Sequence, residues 1–163
     1  MSSKTGEPTE VVGGEEIEVS NARTWAGGAV GGLFGGVVMG VLMTVLMPGA
    51  VEVAIPAMYG LEGVSAGWGV HLLHSVLFGL VFAAIVMRPG IERYVPTSRA
   101  VVGAGALFGA ALWLVAAGLA MPIWLSAVGF AGAPPLPNLA IPSLIAHLAY
   151  GLVLGVGVVA LRR

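Results

Sequence analysis

The sequence predicts an all-α, polytopic membrane protein in which four transmembrane helices form two pseudo-repeated helical hairpins. Three observations predict it. The chain has 163 residues, 58% of them hydrophobic and only 9% charged, whereas an ordinary soluble domain carries about 25% charged residues. Four segments approach or exceed the roughly 20 apolar residues that a bilayer crossing needs. The arginines then gather at alternate connections, as expected of a chain that crosses four times.

Residues 1–22 hold five of the eight acidic side chains (Glu7, Glu10, Glu15, Glu16, Glu18) among Gly, Pro, Ser and Thr. They read as a disordered acidic tail, since no basic start leads into a short apolar core as in a signal peptide. An acidic tail with one lysine suits a halophilic cytoplasm. The transmembrane domain follows over residues 23–163, with one repeat at about 24–88 and the other at about 100–162.

The first span, about Thr24–Met47, contains WAGGAVGGLFGGVVMG, seven glycines in sixteen positions. In water each would cost a helix about 1 kcal/mol relative to alanine. In lipid, small residues four apart let helix backbones approach closely. Gly28, Gly32, Gly36 and Gly40 form one such row and Gly27, Gly31 and Gly35 a second, so both are expected to pack against other helices. Pro48 is expected to stop this span. The apolar VAIPAMYGL between Glu52 and Glu62 is too short to cross and should lie on the interface or re-enter; the two carboxylates read as solvated. The second span covers about Ser65–Met87 and the third about Ala100–Met121, stopped by Pro122. GFAGAPPLPN reads as a stiff connection, and the last span covers about Pro142–Leu161.

Arg23, then Arg88, Arg93 and Arg99, then Arg162 and Arg163 flank alternate ends of these spans, and the other two connections have no Lys or Arg. By the positive-inside rule both termini and the central loop lie in the cytoplasm, in a multi-pass protein of the cell membrane. Trp68 and Trp124 suit an outer aromatic belt and Trp25 an inner one.

The two halves repeat. Leu33-Phe34-Gly35 aligns with Leu107-Phe108-Gly109, Met47-Pro48 with Met121-Pro122, and Gly31 with Gly105. In the second helices Phe78-Gly79-Leu80-Val81 aligns with Tyr150-Gly151-Leu152-Val153. Each copy has two spans, so both insert the same way and are related by a pseudo-twofold axis along the membrane normal.

All three histidines fall in the second helix of a repeat: His71 and His74 in GVHLLHSVLFG, His147 in IAHLAYG. Counting along the helix places them about 7–13 Å below the outer ends. His71, His74, Ser75 and Phe78 share one face, and His147, Tyr150 and Gly151 another. His147 aligns with Ser75, so the two sites are quasi-equivalent and could face each other. Ionisable side chains in a bilayer are expensive and often functional. Imidazoles from two helices could hold haem b iron, or copper together with methionines; His74, His147, Met47 and Met121 are the ligand candidates, beside a Met39–Met43–Met47 row. The plainer reading has the histidines hydrogen-bonding between helices and the methionines filling gaps.

AMYGLEGVSAGWGVHLLHSVLFG and LPNLAIPSLIAHLAYGLVLG resemble small four-helix membrane proteins of haloarchaea, and the glycine-rich first helix resembles the broader YagU-like group. The resemblance implies the fold and carries no site residues. Some members of that group are labelled histidine kinases; a chain with no aspartate and two asparagines has no means to hold nucleotide and Mg²⁺. No nucleophile–base pair or carboxylate dyad supports hydrolysis, no cysteine supports thiolate chemistry, and no basic patch supports nucleic-acid binding. The expectation is a non-enzymatic structural or accessory membrane component without a cofactor. Its partners are the bilayer and a second copy or a membrane complex. The alternatives are a haem- or copper-binding electron-transfer subunit and a conduit for protons or small solutes.

Overall fold

The computed structural model describes residues 10–162, and these are helical with no strand. Four helices are long and apolar enough to cross a membrane: Ser20–Leu46, Val64–Val86, Ser98–Ala127 and Ile141–Arg162. The first belongs to α1 (Glu10–Leu46). Its backbone is helical from Glu10, so residues 10–22 extend the first span instead of forming a disordered tail. Glutamates favour helix and no proline interrupts this run. The first nine residues lie outside the described ones.

After Pro48 the chain winds through a wide π-helical turn, Ala50–Ala54, into α2 (Ile55–Ala57). This is the short apolar segment expected to re-enter or lie on the interface, and it packs against the next helix. Val51, Ile55 and Pro56 are buried, while Glu52 and Glu62 are exposed. Gly67 makes the contact feasible, because a Cβ there would overlap the Val51 carbonyl oxygen. Gly63, at φ 87°, then turns the chain into α3 (Val64–Val86).

Thr97 caps α4 (Ser98–Leu112), its Oγ1 accepting the Ala100 N–H at 3.2 Å. Here the third span departs from expectation. Pro122 does not stop it; the helix passes through a π-helical stretch, Trp113–Ala120, and continues as α5 (Met121–Ala127). Proline cannot donate to the carbonyl four residues back, which is that of Gly118. The Asn138 N–H donates to it instead, at 2.9 Å, and Trp113 Nε1–H donates to the Ala140 carbonyl at 3.1 Å. The loop before α6 (Ile141–Arg162) therefore stitches onto the widened helix. It is more than a stiff connection.

The glycine rows pack as their spacing predicts, against two different helices. Gly27, Gly31 and Gly35 face α6: a Cβ on them would sit 2.8 Å from Val158 Cα, 2.8 Å from the Leu154 oxygen and 2.9 Å from the Tyr150 oxygen. Gly28, Gly32, Gly36 and Gly40 face α3, where an added Cβ would stand 2.5–2.6 Å from Gly79, Ser75 or the Trp68 ring. In the second hairpin Gly105 and Gly109 receive α6 at Gly151, Gly155 and the His147 carbonyl.

These contacts display the duplication in a corrected register. Gly28 touches Gly79 and Ala83 as Gly105 touches Gly151 and Gly155; Gly32 touches Ser75 and Gly79 as Gly109 touches His147 and Gly151. The second helices pair as the sequence alignment has them. The first helices pair one turn differently, Gly28 with Gly105 in place of Gly31. The Leu-Phe-Gly and Met-Pro matches mark local composition, and the helix-contact glycines carry the repeat.

The helices lie in the order α3, α1, α6, α4, curled into a bundle. The α1–α6 crossing joins the hairpins closely, and at one end Arg162 Nε donates to the buried Thr24 Oγ1 at 2.8 Å. Its symmetry mate, the crossing of α3 with α4, barely closes. In the contact register the positions of Gly27, Gly31 and Gly35 are occupied by Ala104, Phe108 and Leu112. Phe108 meets Phe82 with ring centroids 5.4 Å apart, which holds α3 and the third span apart.

Candidate functional site

Between α3 and the third span, at the end of the bundle opposite the arginines, lies a cavity of about 310 Å³. α3 contributes His71, His74, Ser75 and Phe78; the third span contributes Leu112, Ala116, Ala117, Ala120 and Met121. The back wall is Met39, Met43 and Met47 of α1 with Ser143, His147 and Tyr150 of α6. The segment after Pro48 adds Ile55 and Met58, and the stitched loop adds Asn138 and Ala140.

Every polar or methionine side chain singled out in the sequence as a candidate is here: His71, His74, His147, Ser75, Tyr150, Met47 and Met121. The spacing placed the two histidine faces on different helices, and the bundle turns both inward. Met58, Asn138 and Tyr59 were missed. A Met-Tyr pair inside an apolar connection too short to span was the only signal for two of them.

His71, His74, His147, Ser75 and Tyr150 are each held by a defined bond. His71 reaches from α3 to α1, where its Nε2–H donates to the Gly36 carbonyl at 2.8 Å. The missing Cβ at Gly40 makes room, since its place lies 3.2 Å from His71 Cδ2. His147 Nδ1–H donates to the Ser143 carbonyl of its own helix at 2.8 Å. Tyr150 O–H crosses between hairpins to donate to the Ser75 carbonyl at 2.6 Å, and Ser75 Oγ–H donates to the His71 carbonyl at 2.8 Å. These hydroxyls are engaged with backbone, so neither is paired with an imidazole as a nucleophile would be.

The tautomers follow. A neutral imidazole has one N–H and one lone pair. His71 spends its N–H at Nε2 and keeps a lone pair at Nδ1; His147 spends its N–H at Nδ1 and keeps one at Nε2. Both residues are buried, 5% and 7% exposed. Among the described residues no fully buried side-chain nitrogen or oxygen lacks a hydrogen-bond partner. The second nitrogens of His71 and His147 have no such partner, so they are not fully buried, and both residues line the cavity.

His74 differs. Its Nε2 pairs with the Tyr59 hydroxyl at 2.6 Å, and the Tyr59 ring lies 5.2 Å from that of Trp124 on α5. Tyr59 thus links the loop of the first hairpin to His74 of α3 and Trp124 of the third span, both of which line the cavity. Glu52 and Glu62 do not join the histidines; they border a separate surface cleft with Phe130.

The donor chemistry is soft and uncharged, comprising imidazoles and five thioethers. Among the described residues no three His, Cys, Asp or Glu side chains converge as a metal site. Comparison with protein-family models, curated proteins and solved structures finds no match for this chain.

Proposed function

We propose that this protein is a non-enzymatic accessory component of the cell membrane that binds a small ligand within the bilayer. The observation that carries this reading is the unequal packing of two equivalent crossings. One is closed by Gly27, Gly31 and Gly35. The other is propped open by Phe108 and Leu112, and the resulting space receives three histidines. Polar side chains cost free energy in a membrane and are retained there where they serve a path, a site or a partner. At about 310 Å³ the cavity is at the small end of ligand pockets, which run from about 300 to 1,000 Å³. That size suits an ion or a compact apolar molecule and disfavours a haem macrocycle. The arginine distribution supports cytoplasmic termini, with the cavity in the extracytoplasmic half.

The test uses the full chain in lipid nanodiscs with iodobenzene as probe, because apolar cavities take up such molecules. Wild type should gain thermal stability from the probe. Ala117→Leu, which fills the cavity from the third span, should be at least as stable as wild type without probe and should gain nothing from it. Equal responses from both proteins would mean that the probe acts through lipid and that the cavity is not a ligand site.

A further inference from the structure

We infer that the ligand is a monovalent soft metal ion, Cu(I), bound by His71 Nδ1, His147 Nε2 and thioether sulfurs of the α1 methionines. This rests on the small-ligand reading of the cavity and names the occupant. Its first support is hydrogen bonding. Metal-binding histidines almost always donate their other N–H to a carbonyl, carboxylate or water, which orients the ring and fixes the free nitrogen. His71 does so to Gly36 and His147 to Ser143, each at 2.8 Å. Two imidazoles on different hairpins are thereby locked with one ring nitrogen left unpaired, and both residues line the same cavity.

The second support is the choice of donors. Thioether and imidazole together favour copper over hard cations such as Mg²⁺ and Ca²⁺, which take oxygen ligands. Met39 and Met43 are buried and line the same cavity as the histidines. No carboxylate lines it. A divalent ion would therefore bring two uncompensated charges into an apolar environment, where desolvation is costly. A single charge on a polarisable ion is the least costly cation to place there. His74 is less fitted than the pair above, because its Nε2 meets the Tyr59 hydroxyl, which can donate or accept, so no backbone carbonyl fixes its tautomer as Gly36 and Ser143 fix those of His71 and His147.

The experiment measures Cu(I) retention by the detergent-purified full chain under reducing, anaerobic conditions against a chromophoric Cu(I) chelator. Wild type should hold one equivalent. His71→Ala and His147→Ala should each weaken retention by more than the ~10–100-fold typical of losing a group that only hydrogen-bonds a metal ligand. His74→Ala should retain the ion. Met39→Leu/Met43→Leu, a near-isosteric change that keeps the fold, should weaken retention without lowering thermal stability. X-ray absorption of the loaded protein should show nitrogen and sulfur neighbours. Wild type that yields all copper to the chelator overturns the inference, as does binding unchanged in both His71→Ala and His147→Ala. If copper fails while iodobenzene still distinguishes wild type from Ala117→Leu, the metal is wrong and the small-ligand cavity stands. If both probes fail, both readings fall.

Discussion

Two chemically identical substitutions, Gly151→Ala and Gly69→Ala, should move stability in opposite directions. Both glycines lie within helices, where alanine is preferred by about 0.8–1 kcal/mol. At Gly69 a new Cβ meets nothing within 4 Å, so most of that gain should appear as added stability. At Gly151 the new Cβ would fall on the Gly105 carbonyl oxygen, 2.8 Å from the Gly105 carbon and 3.1 Å from the Gly109 nitrogen. All three atoms are backbone, so no rotamer change relieves the overlap and α4 must back away from α6. Overpacking of this kind costs about 1–3 kcal/mol, and rigid neighbours put it in the upper half of that range. After the propensity gain is subtracted, Gly151→Ala should lose about 1–2 kcal/mol, some 2–3 kcal/mol below Gly69→Ala. Reversible unfolding in mixed detergent reads the difference directly. Gly105→Ala/Gly151→Ala should cost less than the two single changes together, because one separation of the helices accommodates both methyl groups. Equal stability of Gly151→Ala and Gly69→Ala would refute the claim that the α4–α6 backbones touch.

Tyr150→Phe removes the hydroxyl that joins the hairpins at Ser75. Hydrogen bonds between transmembrane helices average about 0.6 kcal/mol and reach about 1.7, so the variant should unfold earlier by that margin; unchanged stability would mean that the bond contributes nothing. A topology reporter fused after Arg163 should report the cytoplasm, and activity confined to the outside would invert the orientation and place the histidines in the inner half.

The helices and their contact faces were legible because the membrane imposes simple rules. A chain that must satisfy its backbone internally has to form long helices, and glycine four apart on one face has few uses besides close approach. Both rows of α1 therefore met the fate that their spacing predicts. The breaks in regularity were harder. Pro122 looks like a stop from sequence because the usual ladder ends there. Only the folded loop shows that Asn138, sixteen residues later in the chain, supplies the missing donor to Gly118. The helical run from Glu10 was equally hidden, since polar composition describes solvation and does not decide backbone conformation. At the site the residue types were readable and the pairing was not. His74 and His147 sit one position apart in the aligned repeats, but hydrogen bonds decide which tautomer is fixed: backbone carbonyls fix those of His71 and His147, while His74 meets a hydroxyl that can donate or accept.

The cavity itself follows from a departure from repetition that is written in the sequence and readable only in the contact register. Set Gly27, Gly31 and Gly35 against Ala104, Phe108 and Leu112, and the second hairpin lacks the glycines that would let its crossing close. A chain that kept both glycine rows would bury Tyr150 and its counterpart Phe78 alike against helix backbone. Here Tyr150 packs on Gly35, its ring carbon Cδ2 3.0 Å from where a Cβ would stand, while Phe78 and Leu112 both line the cavity. Larger residues at three positions that hold glycine in the first hairpin make the bundle asymmetric, and the histidines of both repeats line the resulting cavity. The repeat presents two equivalent crossings; the glycines of one make it the structural seam, and Ala104, Phe108 and Leu112 in the other leave room for the cavity.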